Sequence, residues 1–130
     1  MIQDLHHLGL TVRDVEASAR WYEQVLGFQR AGGYESPDGA RRKVFLRHPG
    51  LRIRLGLTEH RHGGDDRFDE TRIGLDHLAF RVASKAELDD AAKHLDDIGI
   101  EHEPIKDIGP SYILEFRDPD NIALELTAPK

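Results

Sequence analysis

The chain has no cysteine, so neither a disulfide framework nor a thiolate-held metal can form. It has no apolar run near the roughly 20 residues that a membrane-spanning helix needs. It also lacks positive charge in excess: 18 Lys and Arg stand against 24 Asp and Glu, a formal net charge of −6. The short cluster Arg41-Arg42-Lys43 is the one basic stretch, too small a footprint for nucleic acid. The opening MIQDLHHLGL carries neither a basic start nor a long apolar stretch, so no signal peptide is expected and a cytoplasmic location is the default. What remains, at 38% hydrophobic and 32% charged in 130 residues, fits one globular domain or two small halves sharing a core. Eight histidines are more than packing requires and prompt a search for metal ligands.

The chain repeats itself. His7-Leu8-Gly9-Leu10-Thr11-Val12 returns seventy residues on as His77-Leu78-Ala79-Phe80-Arg81-Val82. Both stretches alternate, with apolar side chains on one face, as half-buried strands do. A helix is expected after each. Asp14 caps the first, Val15, Ala19, Tyr22 and Leu26 share its face, and Gly27 ends it. Ser84 and Glu87 open the second as a capping box, Leu88, Ala91, Ala92 and Leu95 form its stripe, and Gly99 ends it. Trp21 and these stripes are expected in the core.

Three further strands are expected in each half, at 28–32, 43–47 and 52–58, then at 101–105, 112–116 and 122–127. Pro37-Asp38-Gly39 turns one hairpin, and Asp118-Pro119-Asp120-Asn121 turns another, with Asn121 suited to the left-handed conformation. Each half thus reads βαβββ, the first over 1–58 and the second over 75–130, with the polar, glycine-bearing stretch 59–74 as linker. The expected fold is α+β, a cup-shaped mixed sheet with helices outside.

By strand parity the uncovered face carries His7, Gly9 and Thr11 on the first strand and His77, Ala79 and Arg81 on the fifth. The fourth strand adds Arg52, Arg54, Gly56 and Thr58, and the last adds Ala123, Glu125 and Thr127. Two imidazoles and a carboxylate on rigid strands suit one divalent ion, Fe2+ or Mn2+ before Zn2+ or Ni2+. The set cancels one of the ion's two charges, so the centre stays Lewis acidic toward a chelating, anionic substrate. A single strand histidine is most often a surface residue, and a terminal-strand Glu is most often solvated. The recurrence of His7 and His77 at matching positions of a repeat, with Glu125 on the same face, is what sets these three apart. His6, His48, His60, His62, His94 and His102 fail the parity or position test and read as surface or loop residues.

These motifs resemble the glyoxalase, bleomycin-resistance and extradiol dioxygenase superfamily, whose members hold a metal that binds vicinal oxygens of the substrate. His7-Leu-Gly-Leu-Thr-Val-Arg-Asp with Trp21-Tyr22 and Leu26-Gly27-Phe28 resembles its opening motif. His77-Leu-Ala-Phe-Arg-Val resembles the middle one, and Phe116-Arg117-Asp118-Pro119-Asp120 leading to Glu125-Leu126 the last. The resemblance spans essentially the whole chain and implies His7, His77 and Glu125 as ligands. Glyoxalase I and epimerase-like members add a Glu or Gln on the fourth strand, where this chain has Gly56, which cannot ligate. That departure favours the three-ligand set of extradiol dioxygenases and fosfomycin-resistance transferases. Asn121 replaces a common Gly, a change the turn tolerates.

Two function classes follow. One is a metal-dependent enzyme of dioxygenase, lyase, isomerase or transferase type acting on a small substrate with adjacent oxygens. The other is a bleomycin-resistance-like protein that sequesters a drug without catalytic metal. Arg54 and Arg81 are the candidate binders of an anionic substrate group, with Arg81 at best an electrostatic helper in catalysis, and an arginine reaching solvent explains either equally well. No other catalytic group is identifiable. Tyr112 groups by parity with Leu114 and Phe116 and reads as packing. His60, Arg61, His62 and Arg67 could form a lid, but a solvated connection is the simpler account. A homodimer is the expected assembly, with the modules closing within one chain or exchanged between two; no membrane or nucleic-acid partner is expected.

Overall fold

The computed structural model describes residues 1–130, which divide into two compact units, 1–66 and 67–130. In the first unit, β1 (His7–Thr11) buries Leu10 and leaves His7, Gly9 and Thr11 exposed, as its alternation requires. The chain then enters α1 (Val15–Leu26), where the Asp14 carboxylate accepts from Ala17 N at 3.0 Å and Gly27 closes the helix at φ 73°. Val15, Ser18, Ala19, Tyr22 and Val25 are buried, following the i, i+3, i+4, i+7 stripe. Two expectations are corrected. Val25 lies on that stripe and Leu26 at its half-buried edge, and Trp21 is half-buried, meeting Tyr22 edge-on at 5.0 Å.

The first sheet continues through β2 (Gln29–Glu35), β3 (Arg41–Arg47) and β4 (Arg54–His60) in the spatial order β1-β4-β3-β2, with β1 parallel to β4 and the rest antiparallel. The Asp38 carboxylate organises the β2–β3 turn by accepting from Ser36 Oγ at 2.6 Å and Ala40 N at 3.0 Å. Against the expected 28–32, β2 starts one residue later and ends three residues later, because a bulge between Arg30 and Gly32 absorbs its twist and lets pairing resume. β4 takes in Glu59 and His60, so the expected linker begins with strand.

The second unit repeats the plan: β5 (Leu78–Arg81), α2 (Lys85–Asp97), β6 (Lys106–Asp107), β7 (Ser111–Arg117) and β8 (Ala123–Pro129), in the order β5-β8-β7-β6. Ser84 Oγ accepts from Glu87 N at 3.3 Å, while the Glu87 carboxylate reaches back to Ala83 N at 2.8 Å, one residue beyond an ideal capping box. Only Leu88 and Leu95 of the α2 stripe are fully buried; Ala91 and Ala92, ending at Cβ, flank them half-exposed. Gly99 follows the helix at φ 76° and Asn121 turns the last hairpin at φ 69°.

The strand expected at 101–105 is corrected. His102 makes an isolated bridge to Phe116, and Glu103 N donates to Glu115 O at 2.9 Å. Pro104 then has no N–H to offer, and pairing resumes one residue out of step as β6. Each unit is therefore a four-stranded mixed sheet, open at its edges, with one helix on its apolar face; the architecture is α+β. Leu114 is fully buried beneath α2. Its truncation to Ala is expected to destabilise the protein by about 2–5 kcal/mol, read as a lowered unfolding midpoint in urea.

Candidate metal centre

In the second unit, β5 lies parallel to β8 with Ala79 opposite Glu125. His77, just ahead of β5, therefore projects on the same face as Glu125. Its Nε2 stands 3.9 Å from Glu125 Oε2, and its Nδ1 is 2.7 Å from Asp76 Oδ1. The Glu125 side chain is 17% exposed and has no hydrogen-bond donor, with His77 as its one cationic neighbour within 4 Å. A half-buried carboxylate facing an imidazole nitrogen is a donor pair of the kind that can hold a cation. Neighbouring ligands of one ion with bonds of about 2.1 Å stand roughly 3.0–3.4 Å apart, so this pair has the right donor chemistry and would have to close by about half an ångström to hold a divalent ion. The Asp76 carboxylate, hydrogen-bonded to Nδ1, holds the His77 imidazole pKa above its ordinary value; burial opposes this, and Glu125 and Glu115 add to it.

A cavity of about 960 Å³ opens in this unit beside the pair, and Asp76, His77, Glu115, Arg117 and Glu125 are among its walls. Its two permanent cations are engaged. Lys106 Nζ lies 2.7 Å from Glu115, and the Arg117 fork grips Glu70 at 2.6 and 2.9 Å. Arg117 holds the Glu70 carboxyl down at about 2, so the pair's contribution is complete above the ordinary Glu value near 4.5 and is lost as pH falls through about 2. Glu70→Gln is expected to lower stability at neutral pH and to flatten the acid-dependent loss across that window, as followed by thermal unfolding at several pH values.

His102, expected at the surface, also lines this cavity half-buried, its Nε2 on Asp96 at 2.9 Å and Nδ1 on the Glu103 carbonyl at 2.7 Å. The Glu103 carbonyl foremost, and Asp96 after it, raise its pKa against the effect of burial. Tyr112 sits on the helix-covered side, with the Lys85 and Lys130 ammonium groups 5.7 and 5.2 Å from its ring centroid, in keeping with a packing role.

In the first unit His7 is exposed opposite Arg54, and its Nδ1 is 2.8 Å from His6 Nδ1. Gly56 lies opposite Gly9 as Glu125 lies opposite Ala79, so glycine occupies the fourth-strand counterpart of Glu125. An added Cβ there would meet Leu8 O and the Phe45 ring at 3.8 to 4.0 Å, ordinary contact distances, so crowding does not demand the glycine. Arg54 and Arg81 are exposed on their strands with no ion pair, and Arg81 is not among the cavity walls. Arg61 donates to the Asp38 carbonyl at 3.0 Å and holds the β2–β3 turn, while His62 and Arg67 are exposed.

The structure thus brings His77 and Glu125 together. His7 belongs to the other unit, and no group of three or more His, Asp or Glu side chains gathers to hold an ion. Asp76 and Glu115 were not singled out by the sequence. The repeat could have flagged Asp76, which precedes His77 as His6 precedes His7, and Glu115 shares the parity of Glu125.

No helix is long and apolar enough to cross a membrane. A family model described as Glyoxalase/Bleomycin resistance protein/Dioxygenase superfamily matches residues 4–126. The chain is 31% identical over 129 residues to uncharacterized protein YwkD of Bacillus subtilis, covering 97% of each. It is also 31% identical over 122 residues to biphenyl-2,3-diol 1,2-dioxygenase 3 of Rhodococcus globerulus, covering 94% of this chain but 61% of that one. A glyoxylase/bleomycin resistance protein/dioxygenase domain from Frankia sp. EAN1pec superposes with a TM-score of 0.91 at 37% identity, covering 100% of this chain and 94% of the other. The fosfomycin resistance protein FosX of Listeria monocytogenes, in complex with Mn(II) and sulfate, shares the fold at a TM-score of 0.75 and 21% identity, covering 100% and 95%. With a family model spanning almost its whole length, the chain belongs to the glyoxalase, bleomycin resistance protein and dioxygenase superfamily.

Proposed function

We propose that this protein is a metal-dependent enzyme acting on a small substrate with vicinal oxygens, of the dioxygenase-like kind, with His7, His77 and Glu125 as ligands of one divalent ion. The observation that carries the reading is the half-buried Glu125 carboxylate facing His77 Nε2 at 3.9 Å beside a cavity. The repeat supplies His7 as the third donor, and Gly56 leaves coordination positions free for substrate. Fe2+ or Mn2+ suits the nitrogen and oxygen donors best, with Zn2+ or Ni2+ as alternatives. Such an ion supplies Lewis acidity to adjacent substrate oxygens.

The chain's own residues do the rest. His77 and Glu125 would hold the ion in the second unit, and Lys106 neutralises Glu115 in the cavity wall. Arg81, and Arg54 on the first unit's strand, offer guanidinium groups to an anionic portion of the substrate. The relative named as a biphenyl-2,3-diol dioxygenase makes catechols the first substrates to try. The protein is expected to act as a homodimer.

The test is metal content of protein purified without an affinity tag, followed by oxygen uptake with a catechol series. Near-stoichiometric Fe or Mn and catechol-dependent uptake support the proposal. Metal-free protein that instead binds aromatic or glycopeptide drugs tightly would assign the cavity to sequestration, as in bleomycin resistance, and end the enzyme reading.

A further inference from the structure

We infer that the residue immediately ahead of each proposed histidine ligand is its positioning residue: His6 for His7 and Asp76 for His77. The inference rests on the ligand assignment proposed above. In the second unit Asp76 Oδ1 meets His77 Nδ1 at 2.7 Å, and in the first unit His6 Nδ1 meets His7 Nδ1 at 2.8 Å. The two contacts sit at the same point of the internal repeat, use different chemistry and reach the same ring atom. A carboxylate can only accept, so His77 carries its proton on Nδ1 and presents an Nε2 lone pair, the atom that faces Glu125 across 3.9 Å. An imidazole ahead of His7 does the same when its Nδ1 accepts, which again leaves Nε2 as the free donor.

The Asp76 contact fixes a tautomer and a ring orientation before an ion arrives, and the His6 contact does so with its Nδ1 as the acceptor. A ligand already in the binding tautomer need not relocate a proton, and a hydrogen bond at its far nitrogen makes it a stronger base. Partners of this kind typically change metal affinity 10–100-fold when removed. The sequence-local arrangement has a structural cause. Each positioning residue lies just outside the start of a strand, β1 or β5, where the alternation of strand side chains no longer sends neighbours to opposite faces. Adjacent side chains can then touch. Both Asp76 and His6 are exposed, so replacing them leaves the core intact.

Long-range proton–nitrogen correlation spectra of the metal-free protein at about pH 9, where histidine is neutral, read the tautomers directly. His7 and His77 are expected to be protonated on Nδ1. Asp76→Leu should move His77 to the Nε2-protonated form, and His6→Phe should do the same to His7. Each should weaken Mn2+ binding about 10–100-fold by titration calorimetry. Asp76→Asn keeps an oxygen acceptor and should retain the tautomer and most of the affinity. Nε2 protonation of His77 in the parent protein, or unchanged Mn2+ affinity in Asp76→Leu, overturns the inference. If the parent protein binds no Mn2+, Fe2+ or Zn2+, the ligand assignment fails, while the tautomer spectra still decide whether the two residues position the rings.

Discussion

Replacing His77 by Ala is expected to abolish near-stoichiometric metal binding and to leave the fold intact. The change removes one of two donors held together in the second unit and leaves Glu125 and His7 as the remaining proposed ligands, too few to hold the ion tightly. The loss should therefore exceed the roughly 10–100-fold that removing a ligand's hydrogen-bond partner costs. Stability should change little, within about 0.5 kcal/mol, because the His77 side chain is nearly half exposed and lies outside the apolar core. Elemental analysis of the purified variant, with thermal unfolding of both metal-free proteins, separates the two effects. Undiminished metal in a folded variant would remove His77 from the centre. Glu125→Gln should act more mildly, since the amide keeps an oxygen donor but gives up the charge that holds a divalent cation.

How much of this was legible in the sequence depended on how local the determining physics is. Asp14, Gly27, Ser84 and Gly99 announce helix ends through hydrogen bonds and dihedral angles that involve only a few neighbouring residues, and all four sit where expected. Strand parity was equally readable, because a period of two is strict and one face of each sheet is covered; it placed His77 and Glu125 on a common face correctly. Strand length was less so. A bulge in β2 and the break at Pro104 depend on how a partner strand twists, which no single segment encodes. The ion pairs that occupy Arg117 and Lys106 were illegible for a similar reason. Glu70 and Arg117 are 47 residues apart, and their meeting depends on the whole unit having folded. His102 was misjudged because the interruption that buries it against Asp96 and Glu103 was read as continuous strand.

The largest gain of function is expected from mixing two inactive variants. If the proposed centre forms by exchange, His7 of one chain joins His77 and Glu125 of a second copy, and every site draws on both subunits. His7→Ala and Glu125→Ala homodimers should then each lack a complete site. In a mixed dimer, one of the two sites takes its His7 from the Glu125→Ala chain and its His77 and Glu125 from the His7→Ala chain, and is whole. The other site is doubly broken. After random re-pairing from equal amounts, half the dimers are mixed and half of their sites are intact, so metal content and activity should recover to about a quarter of the parent level. No recovery is expected if each chain closes its own site, because re-pairing then leaves every site with its original defect. The two outcomes differ between about a quarter and nothing, and elemental analysis after co-dissolving and refolding the variants distinguishes them without a known substrate. Recovery would assign each site to two chains. Its absence, with both variants folded and mixed dimers demonstrated by mass spectrometry, would place all three ligands of each site in one chain.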